Sequence, residues 1–235
     1  GTPEKKFLKW KEDESDASML QLDKYLLKMC DKKRFLEFIF DFVLFEGGIK
    51  KLPRTNQYFA IKKAQEAIRI REGGIIWHTQ GSGKSLIMVM LAKWILENNS
   101  KARVVIVTDR IELDEQIERV FKDAGEDQVK RAKNGKELME MLNAPLPRLI
   151  TTLVFKFGVR GEQSYKDYIQ ELESSPDKTV GELFVFVDEC HRSVSGKMHK
   201  AMKTILRNAV FVGFTGTPLL KKDKQTSHEV FGKYI

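Results

Sequence analysis

Five short apolar runs constrain this chain more than any other feature: "GIIWHT" (74–79), "RVVIVTD" (103–109), "RLITTL" (148–153), "LFVFVD" (183–188) and "AVFVGFT" (209–215). Each is rich in Val, Ile or Phe, and most have little polar alternation. Strands of that kind need cover on both faces. Between the runs lie segments with helical character, notably "SLIMVMLAKWILEN" (85–98) and "RIELDEQIERVFKDA" (110–124). Alternating strand and helix predicts an α/β fold with a mainly parallel, doubly wound sheet flanked by helices. Ligands of such sheets gather at the carboxyl ends of the strands. The residues that follow each run are therefore the first place to look for chemistry.

The rest of the chain is consistent with that plan. At 235 residues it is long enough for one α/β domain with a substantial core, and 42% hydrophobic with 31% charged residues reads as globular. The longest apolar run, Leu86 to Ala92, is far short of a membrane span. The start, "GTPEKKFLKWKEDE", carries no secretory signal, so no membrane partner and a cytoplasmic location are expected. It also lacks an initiator Met, as a fragment would. Cys30 and Cys190 fit no metal-ligand spacing and are expected to be free thiols. A net charge of +8 permits a polyanionic partner.

From Met19 to Phe45 the apolar positions recur at helical spacing, with Phe35, Phe38, Phe42 and Phe45 on one face and Leu36, Ile39 and Val43 on the next. One long helix, buried over most of its girth and stopped by Gly47-Gly48, is the expectation. Residues 160–181 are polar and read as an exposed excursion, and the tail adds no further strand-helix unit.

"HTQGSGKS" (78–85) nearly spells a phosphate-binding loop, with His78 where the pattern has glycine and Gly83-Lys84-Ser85 intact. Gly81 and Gly83 let the backbone curl so that its N–H groups face phosphates. Lys84 would reach the β and γ phosphates of ATP and Ser85 would hold Mg²⁺, while the following helix start adds its positive end. The bland alternative is a Gly-Ser surface loop between strand and helix. "VFVDECHRS" (185–193) argues against it, because four apolar residues, Phe184 to Val187, deliver Asp188 and Glu189 to a strand end. A nucleotide motor needs one carboxylate there for Mg²⁺ and a second for the attacking water. Asp188 suits the first role and Glu189 the second. A zinc reading of Cys190, His191 and His199 lacks a fourth ligand.

"HTQGSGKS", "DECH" and "GFTGTP" (213–218), in this order, resemble motifs I, II and III of superfamily 2 helicases and translocases. More narrowly, "WHTQGSGKSL", "VVIVTDRIELDEQI" (104–117), "LITTLVFKF" (149–157), "VDECHRS", "FLKWKEDE", "RTNQYFAIKKA" (54–64) and "VFGKYI" resemble the restriction (R) subunit of type I restriction-modification enzymes. The resemblance covers almost the whole chain. It implies a RecA-like P-loop NTPase domain over residues 51–235, preceded by an N-terminal helical linker over 1–50. It makes His78 a family trait, and it places Gln57 at the adenine edge and Thr79, Gly81, Ser82, Gly83, Lys84 and Ser85 around the phosphates. Arg110, Thr151, Thr152 and Lys156 would track DNA phosphates. His191, Thr215 and Thr217 would couple nucleotide state to DNA grip.

ATP and Mg²⁺ are the implied cofactors. The implied partners are double-stranded DNA and the methyltransferase and specificity subunits of the same complex. A second RecA-like lobe and the nuclease domain would lie outside this chain, which on its own is expected to bind nucleotide and DNA with feeble hydrolysis. Two other readings fit the motifs. One is another superfamily 2 DNA or RNA helicase; the other is a noncatalytic, nucleotide-dependent DNA-binding switch, to which the second carboxylate would be of little use.

Overall fold

The computed structural model describes residues 10, 12, 20–79, 81–108, 111–123, 129–132, 135–153, 180–190, 203, 206–217 and 231–235. All five apolar runs are strands: β3 (Gly74–Trp77), β4 (Ala102–Thr108), β6 (Leu149–Leu153), β7 (Glu182–Val187) and β8 (Val210–Thr215). A short strand that the apolar pattern did not mark, β5 (Val129–Ala132), completes a six-stranded sheet in the order β3-β8-β7-β4-β6-β5, with every pairing parallel. Its sequence, Val-Lys-Arg-Ala, is half polar because it lies at the sheet edge.

Helices α3 (Thr55–Arg69), α4 (Lys84–Asn98), α5 (Ile111–Asp123) and α6 (Gly135–Asn143) flank the sheet. Successive residues of a strand point to opposite faces, so each strand feeds two cores. Val104, Ile106, Phe184, Phe186, Val212 and Phe214 pack with α3, α4 and α5. Val105, Val107, Leu183, Val185, Val187 and Phe211 pack on the other face with Leu138 and Leu142 of α6. Nine residues of α4 are buried, as its apolar girth requires. The C-terminal residues close the edge beside β3: Ile75 N–H donates to Lys233 O (2.9 Å) and Ile235 N–H to Ile75 O (3.0 Å). Gly74 is needed there, since a side chain would collide with that of Ile235.

The long N-terminal helix is corrected. The segment divides into α1 (Gln21–Met29), α2 (Lys32–Glu37), a π-helical turn (Phe38–Phe42) and the hairpin β1 (Leu44–Glu46)–β2 (Ile49–Lys51). Asp31 restarts the helix, its carboxylate accepting Arg34 N–H at 3.0 Å. Gly47 and Gly48, at φ +57° and +76°, turn the hairpin rather than stop a helix. Only part of the aromatic stripe is buried: Phe38 and Phe42 enter the α3–α4 core, whereas Phe35, Phe40 and Phe45 are exposed. Trp10, Phe38, Phe42 and Leu44 thus share one core with the sheet. Among the described residues no helix is long and apolar enough to cross a membrane.

Candidate functional site

The carboxyl ends of β3, β8 and β7, three neighbouring strands, bring the sequence motifs together. Where β3 ends, His78 N–H donates to Thr215 O at the end of β8 (3.0 Å), which pins the start of the glycine-rich loop. Inside the loop, Ser82 N–H and its hydroxyl both donate to Thr79 O (3.1 and 2.5 Å), making a tight turn. Gly81 and Gly83 stand at φ +77° and +84°, backbone that side chains rarely adopt. Lys84 and Ser85 open α4 immediately afterwards.

From β7, Asp188 N–H donates to Val107 O of β4 (2.9 Å), and Cys190 N–H to Phe214 O of β8 (2.9 Å). Glu189 lies between these two anchors at φ +45°. A non-glycine residue there costs about 1–2 kcal/mol, which the flanking hydrogen bonds hold in place. The strained backbone delivers the carboxylate to the loop: Glu189 Oε1 lies 3.4 Å from Lys84 Nζ, both side chains nearly closed to solvent. Its other oxygen accepts Gly216 N–H (3.4 Å). Thr215, fully buried, donates its hydroxyl to Thr217 O (2.9 Å) and accepts Thr217 N–H (3.3 Å). The Lys84–Glu189 ion pair is therefore tied through Gly216 N–H to the turn that Thr215 and Thr217 close, with the buried Asp188 beside it.

The electrostatics agree with this crowding. Burial first, then the negative charges of Asp188 and Glu189, pushes the Cys190 thiol up to about 12. Burial first, then Lys84, holds His78 below the usual histidine value. Neither Cys190 nor Cys30 forms a disulfide, and Cys190 Sγ backs the site so closely that a methyl group at Gly213 would lie 2.9 Å from it. The donors available to a metal, the Ser85 hydroxyl and the Asp188 carboxylate, are all oxygen, which suits Mg²⁺.

Gln57, expected at an adenine edge, is 3% exposed, and its amide is bonded to the loop itself. Thr151 and Thr152, expected to track DNA phosphates, are buried at 0% and 1% exposed in β6, which lies inside the sheet between β4 and β5. Arg110, Lys156 and His191 lie outside the described residues. Sequence reasoning passed over Asn56, whose amide nitrogen lies 3.5 Å from His78 Nδ1; its place in "RTNQ", at a helix start, was the available signal. At the opposite end of the sheet, a groove of about 300 Å³ is lined by Arg69, Trp94 and Glu182. Its polar groups already partner one another: Arg69 stacks on Trp94 at 5.3 Å, and Arg71 pairs with Glu182 at 2.7 Å.

The sequence pattern of the SWI2/SNF2 ATPase family matches residues 56–235, three quarters of the chain and the whole of the assembly above. The chain belongs to that family. Within it, the chain is 30% identical to the HindI type I restriction enzyme endonuclease subunit of Haemophilus influenzae, over 98% of this chain and 24% of that protein. It is 30% identical to the SauCOLORF180P subunit of Staphylococcus aureus, over 77% of this chain and 19% of the relative. The chain thus spans a quarter or less of the curated relatives it matches. The fold is that of other family members and of helicases. The bacteriophage T4 UvsW helicase superposes with TM-score 0.58 at 16% identity, over 92% of this chain and 76% of that one. A Sulfolobus solfataricus SWI2/SNF2 ATPase core, solved with double-stranded DNA, gives 0.52 at 16% identity, over 74% and 34%. The sheet of this SWI2/SNF2 family member therefore has the RecA-like fold of those helicase and ATPase domains, and the curated relatives named above are type I restriction subunits.

Proposed function

We propose that this chain is the first RecA-like lobe of an ATP-driven motor that moves double-stranded DNA for a type I restriction endonuclease. Residues 51–235 would form the lobe, and residues 1–50 an extension packed on it. The observation that carries the reading is the meeting of Lys84, after β3, and Glu189, after β7, across the end of β8, 3.4 Å apart and nearly dry. A largely enclosed cation held by one carboxylate is open to exchange: an arriving triphosphate would offer Lys84 a denser negative charge and release Glu189. The freed carboxylate can then take a proton from the attacking water. Ser85 and Asp188 would hold Mg²⁺, which when bound neutralises charge on the phosphates. Thr215 and Thr217, tied to Glu189 through Gly216, are placed to pass the state of the site along β8.

DNA contact is assigned to Arg110 and Lys156. The second lobe, the nuclease, and the methyltransferase and specificity partners belong to the rest of the assembly. Support comes from the family, the restriction-subunit relatives and the oxygen-rich site. The test is triplex displacement by the full-length subunit assembled with its partners, on DNA with an unmethylated recognition site and a distant third strand. ATP-dependent displacement that Lys84→Ala abolishes is the expected result. Turnover without displacement would replace the translocase with a helicase or remodeller, and neither activity would point to a switch.

A further inference from the structure

The edge of the sheet beside β3 is shaped to hold a strand. Phe231 is 1% exposed and meets Phe211 of β8 edge-on, with ring centroids 6.3 Å apart. That anchor brings Lys233 to Ile235 alongside β3, where Tyr234 lies opposite Ile75 in parallel register. Gly73 and Gly74 allow the approach: a methyl group on the first would lie 2.9 Å from Phe231 O, and one on the second would collide with Ile235. Ile75 then makes both bonds of a parallel ladder, donating to Lys233 O and accepting Ile235 N–H.

The strand beside this ladder runs on past it. Successive residues of a strand turn their backbone groups to opposite sides, so Trp77, two residues beyond Ile75, directs its N–H and C=O the same way as Ile75. His78 N–H turns inward instead, to Thr215 O. Side chains alternate too, which puts Trp77 on the face that Ile75 and Tyr234 share. Trp77 is 50% exposed, a large apolar side chain on an outer strand at the rim of the candidate site. Such an edge is a template for one more strand. The chain already laid on it runs toward Trp77, and the register fixes what comes next: the first residue after Ile235 falls beside Trp77.

We propose that in the full-length protein the segment following Ile235 continues as a seventh parallel strand and covers Trp77. Trp77 N–H would donate to Ile235 O, and Trp77 O would accept the N–H of the second residue after Ile235. The relatives are long enough to supply such a segment, since this chain matches 24% of the HindI subunit. The consequence rests on the motor reading above. A strand parallel to β3 leaves at the carboxyl end of the sheet, where Lys84 and Glu189 meet. The connection toward the rest of the subunit is then hydrogen-bonded to the strand that carries the glycine-rich loop, and Trp77 is its clasp.

The experiment is residue-resolved amide hydrogen exchange on the full-length subunit without its partners. Wild type is compared with Gly74→Ala, which crowds Ile235, and with a proline placed two residues after Ile235, which removes the donor to Trp77 O. The proline lies outside the cores described above, so it carries the test if Gly74→Ala does not fold; thermal melting checks both. Expected is a Trp77 N–H that exchanges slowly in wild type and about three- to tenfold faster with the proline, the scale of one lost hydrogen bond. Fast exchange at Trp77 in the wild-type subunit overturns the seventh strand. Slow exchange that the proline leaves unchanged also overturns it, because a distant part of the subunit is then the cover. Equal binding of a fluorescent ATP analogue by wild type and Lys84→Ala would overturn the nucleotide site instead, and would leave the exchange result standing.

Discussion

Two cations, the buried Arg103 and the largely enclosed Lys84, lie at opposite ends of the same sheet, and they are held in opposite ways. Arg103, at the start of β4 and 2% exposed, spreads its guanidinium over backbone carbonyls: Pro147, Leu142, Val180 and Met141, at 2.6–3.3 Å. Its five N–H donors are all engaged, and among the described residues no carboxylate pairs with it. Burial alone holds its pKa below the usual arginine value. Lys84, at the other end, has one carboxylate at 3.4 Å. A cation dispersed over fixed backbone dipoles has nowhere better to go, so it is structural. One that relies on a single countercharge can be traded to a ligand with more negative charge.

Five outcomes would break or sharpen that contrast. The largest concerns the carboxylate side. Glu189→Gln in the full-length subunit should cut ATP turnover by about 10²–10⁴-fold while nucleotide still binds; normal turnover in steady-state assays would remove Glu189 from its role. Next, Arg103→Met should lower folding stability by about 3 kcal/mol or more, because several buried carbonyls lose their donor. Denaturant titration would read that loss, with nucleotide affinity of the folded protein unchanged. Lys84→Ala should show the reverse, an ATP affinity down by about 100-fold and a melting temperature little altered. If both variants lost stability equally, the two cations would be alike after all.

A smaller effect tests a third kind of buried polar group. Gln65 on α3 is 1% exposed, and neither its oxygen nor its nitrogen has a hydrogen-bond partner among the described residues. Gln65→Leu should therefore raise stability by about 1 kcal/mol; destabilisation would mean that the amide has a partner, such as water. The smallest effect is in pH. His78 is held below its unfolded value of 6.5 by burial and by Lys84. A base with a depressed folded pKa contributes stability that is complete above 6.5. That contribution is lost as pH falls from there through the folded value, because the unfolded chain takes up the proton first. The stability difference between wild type and His78→Gln should thus shrink below pH 6.5, and a constant difference would count against the placement.

Legibility in the sequence differed by region for a physical reason. All five strands could be seen because burial on both faces demands unbroken runs of Val, Ile and Phe, as in Val104–Val107. The edge strand β5 could not, since Val129 and Ala132 are its only buried residues. The aromatic segment from Phe35 to Phe45 misled because helical spacing reports a face and not what covers it. Asp31 restarts the helix within the span that the spacing implied, and from Leu44 the chain leaves helix for a hairpin turned at Gly47 and Gly48. Among the site residues, Lys84, Asp188 and Glu189 were readable from glycine pattern and strand ends. The burial of Thr151 and Thr152 was not, because it depends on which strands flank β6.

By itself, then, the sequence determined the α/β class, the strand positions and the chemistry of the loop and acidic pair. These follow from local periodicity and from residue types that only certain backbones tolerate. Tertiary structure alone decided that β3, β8 and β7 are neighbours, and so that Lys84 meets Glu189 across more than a hundred residues of chain. It also decided that the Gln57 amide grips the loop instead of facing solvent. Strand order and side-chain pairing are set by how two cores pack against one sheet, and no local pattern encodes that.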